Sequence, residues 1–170
     1  MHKLLFISFL GLLTACATHT QGPSASAQLS PTKGNGTSGL VTFTQNGPKV
    51  LVSAEIRGLK PNAEHGFHIH EKGDCSSGDG MSTGGHFNPT TQSHGAHGTG
   101  SHHAGDLPSL VADANGVAKL KFESASITID SGVTNIMGRG LIVHRDPDDY
   151  KTQPTGNAGP RLACAVIGKN

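Results

Sequence analysis

The chain reads as an all-β domain, and three observations predict this. Apolar residues recur with period two in short runs. Glycine is abundant, at 24 of 170 residues, and punctuates those runs. No stretch carries the 3.6-residue apolar period of a convincing amphipathic helix. Several short strands separated by turn signals indicate an antiparallel sandwich or barrel. The length suits one domain with a real core and is too short for two. A formal net charge of +1 gives no bulk electrostatic pull towards nucleic acid or a membrane surface. Histidine, at 11 residues, is the compositional outlier.

Residues 1–15 read as a targeting segment rather than part of the fold. Met1-His2-Lys3 is a short basic start, and an apolar run from Leu4 to Leu13 follows. That run is too short to span a bilayer and has the proportions of a secretory signal. It ends in Leu13-Thr14-Ala15-Cys16, which resembles the bacterial lipobox, in which the cysteine becomes the first mature residue and carries acyl chains. Two or more chains anchor stably where one is marginal. Ala17 follows, and the lack of aspartate there argues against retention in the inner membrane. The expected location is the bacterial periplasm, on the outer membrane through Cys16. With Cys16 acylated, Cys75 and Cys164 remain as an even pair. An oxidising compartment favours a disulfide between them.

Residues 16–30 are small and polar and read as an acylated cysteine followed by a flexible tether, His19 included. The folded domain is expected over 31–170. Residues 40–44 form the first expected strand, and Asn46-Gly47 is a turn signal. From Lys49 to Arg57, Val50, Val52, Ala54 and Ile56 alternate against a mixed face. Residues 65–70 are the next expected strand. Residues 71–109 show no periodic run, a very long loop for a compact domain, and such loops are usually functional. Residues 109–112 are short and extended. Asn115-Gly116 turns the chain into 117–123, where Ala118, Leu120 and Phe122 alternate with lysines. Residues 126–129, 140–144 and 162–167 are the remaining expected strands. A second irregular stretch runs over 145–160.

The chemistry sits on these strands and in the first loop. His68 and His70 are two apart on a strand, so both project to one side. Two adjacent imidazoles on a rigid strand make half of a transition-metal site. His144 ends another strand. His86, His94, His103 and Asp106 follow one another through the long loop. Three imidazoles and a carboxylate suit a closed tetrahedral zinc site. His97 and His102 are competing registers for that loop. His68, His70 and His144 need a fourth nitrogen for the tetragonal geometry that copper(II) prefers. His86 has two ring nitrogens and could serve both metals.

Five runs make the pattern specific: Gly66-Phe67-His68-Ile69-His70-Glu71-Lys72-Gly73; Gly85-His86-Phe87-Asn88-Pro89; His103-Ala104-Gly105-Asp106-Leu107; Val143-His144; and Gly156-Asn157-Ala158-Gly159-Pro160-Arg161-Leu162-Ala163-Cys164. In this order, over about 34–168, the chain resembles copper,zinc superoxide dismutases of the bacterial exported kind. The resemblance implies an eight-stranded antiparallel Greek-key barrel, or immunoglobulin-like sandwich, with two long functional loops. It implies one copper and one zinc per subunit. Copper ligands would be His68, His70, His86 and His144; zinc ligands would be His86, His94, His103 and Asp106. Asp148 matches a carboxylate that links one ligand of each metal. Cys75 and Cys164 match the family's disulfide, and His65 matches a structural histidine.

The implied reaction is dismutation of superoxide to dioxygen and hydrogen peroxide by a Cu(II)/Cu(I) cycle. Arg161 would guide and orient the anion, and His86 would supply a proton. The implied partners are the superoxide anion and the membrane through Cys16 only, with no nucleic acid. A homodimer is one assembly the family uses. In the stretch 148–155, Pro154 stands where eukaryotic members carry a lysine beside the threonine that matches Thr155. Two other readings compete. One is a non-catalytic periplasmic copper or zinc carrier on the same fold, which would lack a copper ligand or the arginine. The other is a histidine-rich sequestration module, which would cluster interchangeable histidines. This chain keeps the full set, dispersed among strand ends.

Overall fold

A computed structural model describes residues 22–169, so the expected targeting segment, Cys16 and His19 lie outside the described residues. The strands are β1 (Ser24–Pro31), β2 (Ser38–Asn46), β3 (Lys49–Arg57), β4 (Glu64–His65), β5 (Phe67–His70), β6 (Leu110–Val111), β7 (Ala118–Ser124), β8 (Gly140–His144), β9 (Arg161–Val166) and β10 (Gly168–Lys169). Among the described residues the only helical element is a 3-10 turn at Met81–Thr83. One curled antiparallel sheet of eight strands runs β5-β8-β9-β1-β2-β3-β7, with β10 also on β1. The strands β5, β8, β9 and β1 neighbour one another out of chain order, as in a Greek key. The short pair β4–β6 stands apart from this sheet. The expected all-β Greek-key architecture holds.

Period two decides what is buried. On β3, Val50, Val52, Ala54 and Ile56 are buried and their neighbours are not. They join Leu29, Phe43, Phe67, Ile69, Leu141 and Val143 in one apolar core. Removing that apolar area from water is the main force holding the sheet curled.

Three expectations are corrected. Residues 24–30 were expected in the tether, but β1 occupies the middle of the sheet, with β2 on one side and β9 and β10 on the other. Ala25, Ala27 and Leu29 alternate into the core. The domain therefore begins before residue 31. The single strand expected over 65–70 is split at Gly66 into β4 and β5, which belong to different sheets. At Gly66 the two backbone groups part: its N–H donates to the Asp146 carbonyl beyond β8, while its carbonyl accepts from the His144 N–H on β8. Residues 126–129 alternate but find no strand partner, and only one isolated bridge forms, Thr128 to Asn135.

The long loop over 71–109 is ordered against β5. One edge of β5 pairs with β8. On the other edge Ile69 N–H donates to Gly105 O at 2.9 Å, and Phe87 N–H donates to Ile69 O at 2.8 Å. Gly105 N–H in turn donates to Phe87 O at 2.9 Å. Two loop segments thus replace a neighbouring strand and satisfy backbone groups that would otherwise be left open. Position 105 requires glycine, because a Cβ there would lie 2.2 Å from Ile69 O.

Candidate metal centre

Alternation on β5 sends Phe67 and Ile69 into the core and His68 and His70 to the opposite face, where the loops cover both completely. On β8 the same face carries Gly140, Ile142 and His144, paired across from β5. Between β8 and β9 the pairing steps from Val143–Ala163 to His144–Arg161. One residue of β8 therefore opposes two of β9, with Leu162 as the extra one. Such a bulge re-aims the side chain beyond it. It brings Arg161 round to the face that carries His144.

Two ligand groups form. His68, His70, His86 and His144 offer nitrogens that all lie within 4.8 Å of one another, and so do the ligand atoms of His86, His94, His103 and Asp106. His86 belongs to both, and all seven residues are buried. His97 and His102 are in neither. Their Nδ1 atoms instead bond backbone carbonyls of ligand-group residues, His97 to Asp106 at 2.9 Å and His102 to His103 at 2.8 Å. The loop register thus falls on His103.

Hydrogen bonds fix the ring that each histidine offers. His70 Nδ1 donates to Gly84 O at 2.9 Å, and His144 Nδ1 to Gly159 O at 3.0 Å. His68 Nε2 donates to Asp148 Oδ2 at 2.7 Å. The opposite nitrogens, His70 Nε2, His144 Nε2 and His68 Nδ1, are buried without a hydrogen-bond partner, as is His86 Nε2. Four lone pairs converge with nothing to satisfy them. A buried polar atom left this way costs about 1–3 kcal/mol, and four together are the signature of a cation position. In the second group Asp106 is the hub: His86 Nδ1 lies 2.8 Å from Oδ1, His103 Nδ1 3.3 Å from Oδ1, and His94 Nδ1 3.0 Å from Oδ2. Both donor sets fit metal ions of the kind their chemistry suggests, nitrogen-only for copper and nitrogen with carboxylate for zinc.

Asp148 joins the two groups. Its Oδ2 accepts from His68 Nε2, and its Oδ1 accepts from His94 Nε2 at 2.9 Å. This fixes one ring of each group from behind. Gly156 permits the closeness, since its φ is +63° and a Cβ there would lie 1.9 Å from Asp148 Oδ1. His65 stands outside both groups and bonds the His144 carbonyl through Nδ1 at 2.9 Å.

The electrostatics separate the groups. Burial, then the neighbouring His86 and His144, hold His70 well below the ordinary histidine range. Burial and His68 do the same for His144. Burial also takes His86 down to about 4, against the upward pull of Asp106. His94 goes the other way: burial would lower it, but bonds and charge from Asp106 and Asp148 outweigh that and push it up to about 9. Asp106 and Asp148 are held far below the usual carboxylate range; burial opposes this, and bonds from their histidines win. His70, His86 and His144 are therefore neutral and ready for a cation at pH 7.

Arg161 borders the four-histidine group. Its Nη1 donates to Thr83 Oγ1 at 2.8 Å and to Gly80 O, and its Nη2 donates to Gly84 O at 2.7 Å. Gly84 O also receives His70 Nδ1, so the arginine and a candidate ligand share one acceptor. The Cys75–Cys164 disulfide ties the loop that carries these carbonyls to β9.

Residues 37–167 match the sequence model of the copper/zinc superoxide dismutase family. The chain belongs to that family. A Cu-Zn superoxide dismutase of Paramecium bursaria Chlorella virus 1 is 45% identical over 136 residues, 76% of this chain and 72% of that protein. Cu-Zn superoxide dismutase 2 of Aquifex aeolicus is 37% identical over 171 residues, 98% of this chain and 99% of that protein. A solved structure of the clock protein EA4 superposes with a TM-score of 0.79 at 40% identity, covering 96% of this chain and all of that one. The chain is accordingly an enzyme of the superoxide dismutase class, its substrate is superoxide, and its cofactors are copper and zinc.

Sequence reading missed the supports of the site. Gln153 clamps His94 through both of its backbone groups, accepting from N and donating to O, each at 2.9 Å. Thr83 meets Arg161. Neither residue carries a spacing signal, because each acts through backbone or through one hydrogen bond.

Proposed function

We propose that His68, His70, His86 and His144 hold the copper and that His86, His94, His103 and Asp106 hold the zinc. The observation that carries this reading is the set of four converging, buried, unpartnered nitrogens, with His86 common to both groups. Copper bound there supplies the one-electron exchange that turns two superoxide anions and two protons into dioxygen and hydrogen peroxide. The chain's own residues bind, orient and deliver. Arg161 presents an immobilised positive charge at the edge of the group and orients the incoming anion. His86 is the proposed proton carrier: its Nε2 is buried and without a hydrogen-bond partner, so a proton can be taken up and given back at that atom. Asp106 at its Nδ1 holds the ring in place. Burial keeps His70 and His144 neutral, and their carbonyl partners hold each in one tautomer.

The same reading places the enzyme in the bacterial periplasm, held on the outer membrane by acylated Cys16, where it removes superoxide. A homodimer is the proposed assembly. The signal-like start and the lipobox-like run support the location.

Metal analysis of variants tests the assignment. His144→Ala should lose copper and keep zinc, His103→Ala should lose zinc first, and His86→Ala should weaken both. A His144→Ala protein that keeps copper and full activity would overturn it. Cys16→Ala should move the protein from the membrane fraction to the soluble fraction; an unchanged distribution would remove the anchor. Sedimentation at micromolar concentration should give twice the chain mass, and the mass of one chain would exclude the dimer.

A further inference from the structure

We propose that Thr83 is a positioning residue that locks the Arg161 guanidinium in its anion-facing orientation. This rests on the reading that Arg161 orients the substrate anion. Thr83 ends the 3-10 turn at Met81–Thr83 and is fully buried. Its hydroxyl donates to Gly80 O at 2.9 Å and accepts from Arg161 Nη1 at 2.8 Å. The direction is fixed, because a guanidinium only donates and the hydroxyl's single proton is already committed to Gly80 O.

Both Nη1 protons are thereby taken, one by Thr83 Oγ1 and one by Gly80 O. Gly84 O takes one proton of Nη2. What remains for an anion is the Nε edge and the second Nη2 proton. Gly80 and Gly84 act through their backbone carbonyls. Thr83 is the one side chain in the clamp.

The hydroxyl is itself held. Thr83 N–H donates to Gly80 O at 3.2 Å, and Thr83 O accepts from Lys72 N–H at 3.0 Å. Its methyl sits over Gly140, where a Cβ would come within 2.8 Å of Cγ2. The methyl therefore locks the rotamer and the hydroxyl locks the arginine. Val at position 83 would keep the shape and leave a half-buried Nη1 proton without its protein acceptor. The guanidinium would then turn to find one. Ser would keep the acceptor.

The test is binding of azide, a small monovalent anion, to the copper- and zinc-loaded protein, followed by visible absorption. Copper and zinc content are measured on each sample. Thr83→Val should weaken azide binding about tenfold, the value of one charge-assisted bond, with both metals retained. Thr83→Ser should stay within about threefold of the parent. In an Arg161→Ala background, Thr83→Val should have no further effect. A Thr83→Val protein with parental azide affinity would overturn the proposal, and so would a loss that persists undiminished without Arg161. Loss of copper from Thr83→Val would place Thr83 in the metal scaffold and also overturn it. Parental azide affinity in Arg161→Ala alone would instead remove the role of Arg161 itself.

Discussion

Removing the disulfide tests how the chain holds its anion-binding edge. Cys75 and Cys164 close a loop with a sequence separation of 89 residues. Chain-entropy arithmetic for a loop of that length gives about 4.6 kcal/mol of stabilisation at 25 °C, through loss of freedom in the unfolded chain. The perturbation is the double variant Cys75→Ser/Cys164→Ser, which leaves no unpaired thiol in the described domain. Urea unfolding of the metal-free protein is the assay, since bound metals would add their own linkage. The variant should lose about 3–5 kcal/mol, and its m-value should rise because the unfolded chain exposes more surface without the tie. A loss below about 1 kcal/mol with an unchanged m-value would refute the entropic reasoning. The metal-loaded variant should also lose activity per copper, because the loop that carries Gly80 O and Gly84 O no longer stays against Arg161.

Asp148→Asn turns one of the two oxygens that serve His68 and His94 into an NH2 donor and removes the charge. Zinc affinity should fall about 10–100-fold, read by competition with a chromophoric chelator, and parental affinity would show the link to be idle. Gly105→Ala pushes a Cβ to 2.2 Å from Ile69 O. It should cost about 1–3 kcal/mol in urea unfolding and lower the content of both metals; an unchanged unfolding midpoint would contradict the docked loop. In the metal-free protein His70, His86 and His144 are held below the ordinary histidine range. The unfolded chain then binds more protons below about pH 6.5, so stability should fall by about 1.4 kcal/mol per pH unit per imidazole towards about pH 4. His94, raised to about 9, has the opposite sign: its contribution is present below about pH 6.5 and lost as the pH rises through 9. Urea midpoints at pH 5, 7 and 9 should peak near neutrality, and a peak at pH 5 would contradict these signs.

The two candidate ligand groups were legible in the sequence because a metal site is written in side chains. His68 and His70 needed only strand alternation, and the loop histidines needed only their spacing. The reading of β1 failed for a physical reason: Ser24–Pro31 alternates serine with alanine, whose small side chains give little contrast between faces. The break at Gly66 and the lost strand at 126–129 depend on partners distant in the chain, and local period cannot name them. The orientation of Arg161 rests on a bulge at Leu162, two carbonyls and one hydroxyl. Carbonyls look alike in every residue, so that anchorage had no sequence signal. Thr83 and Gln153 were invisible for the same reason.

The central claim is that this chain, with both metals bound, consumes superoxide catalytically at the four-histidine group. The direct measurement is the decay of a superoxide pulse in the presence of protein whose copper and zinc contents are known, set beside His144→Ala. The parent should consume many superoxide anions per copper and yield one hydrogen peroxide for every two, while His144→Ala should do neither. Decay no faster than in buffer, with both metals bound, would contradict the account.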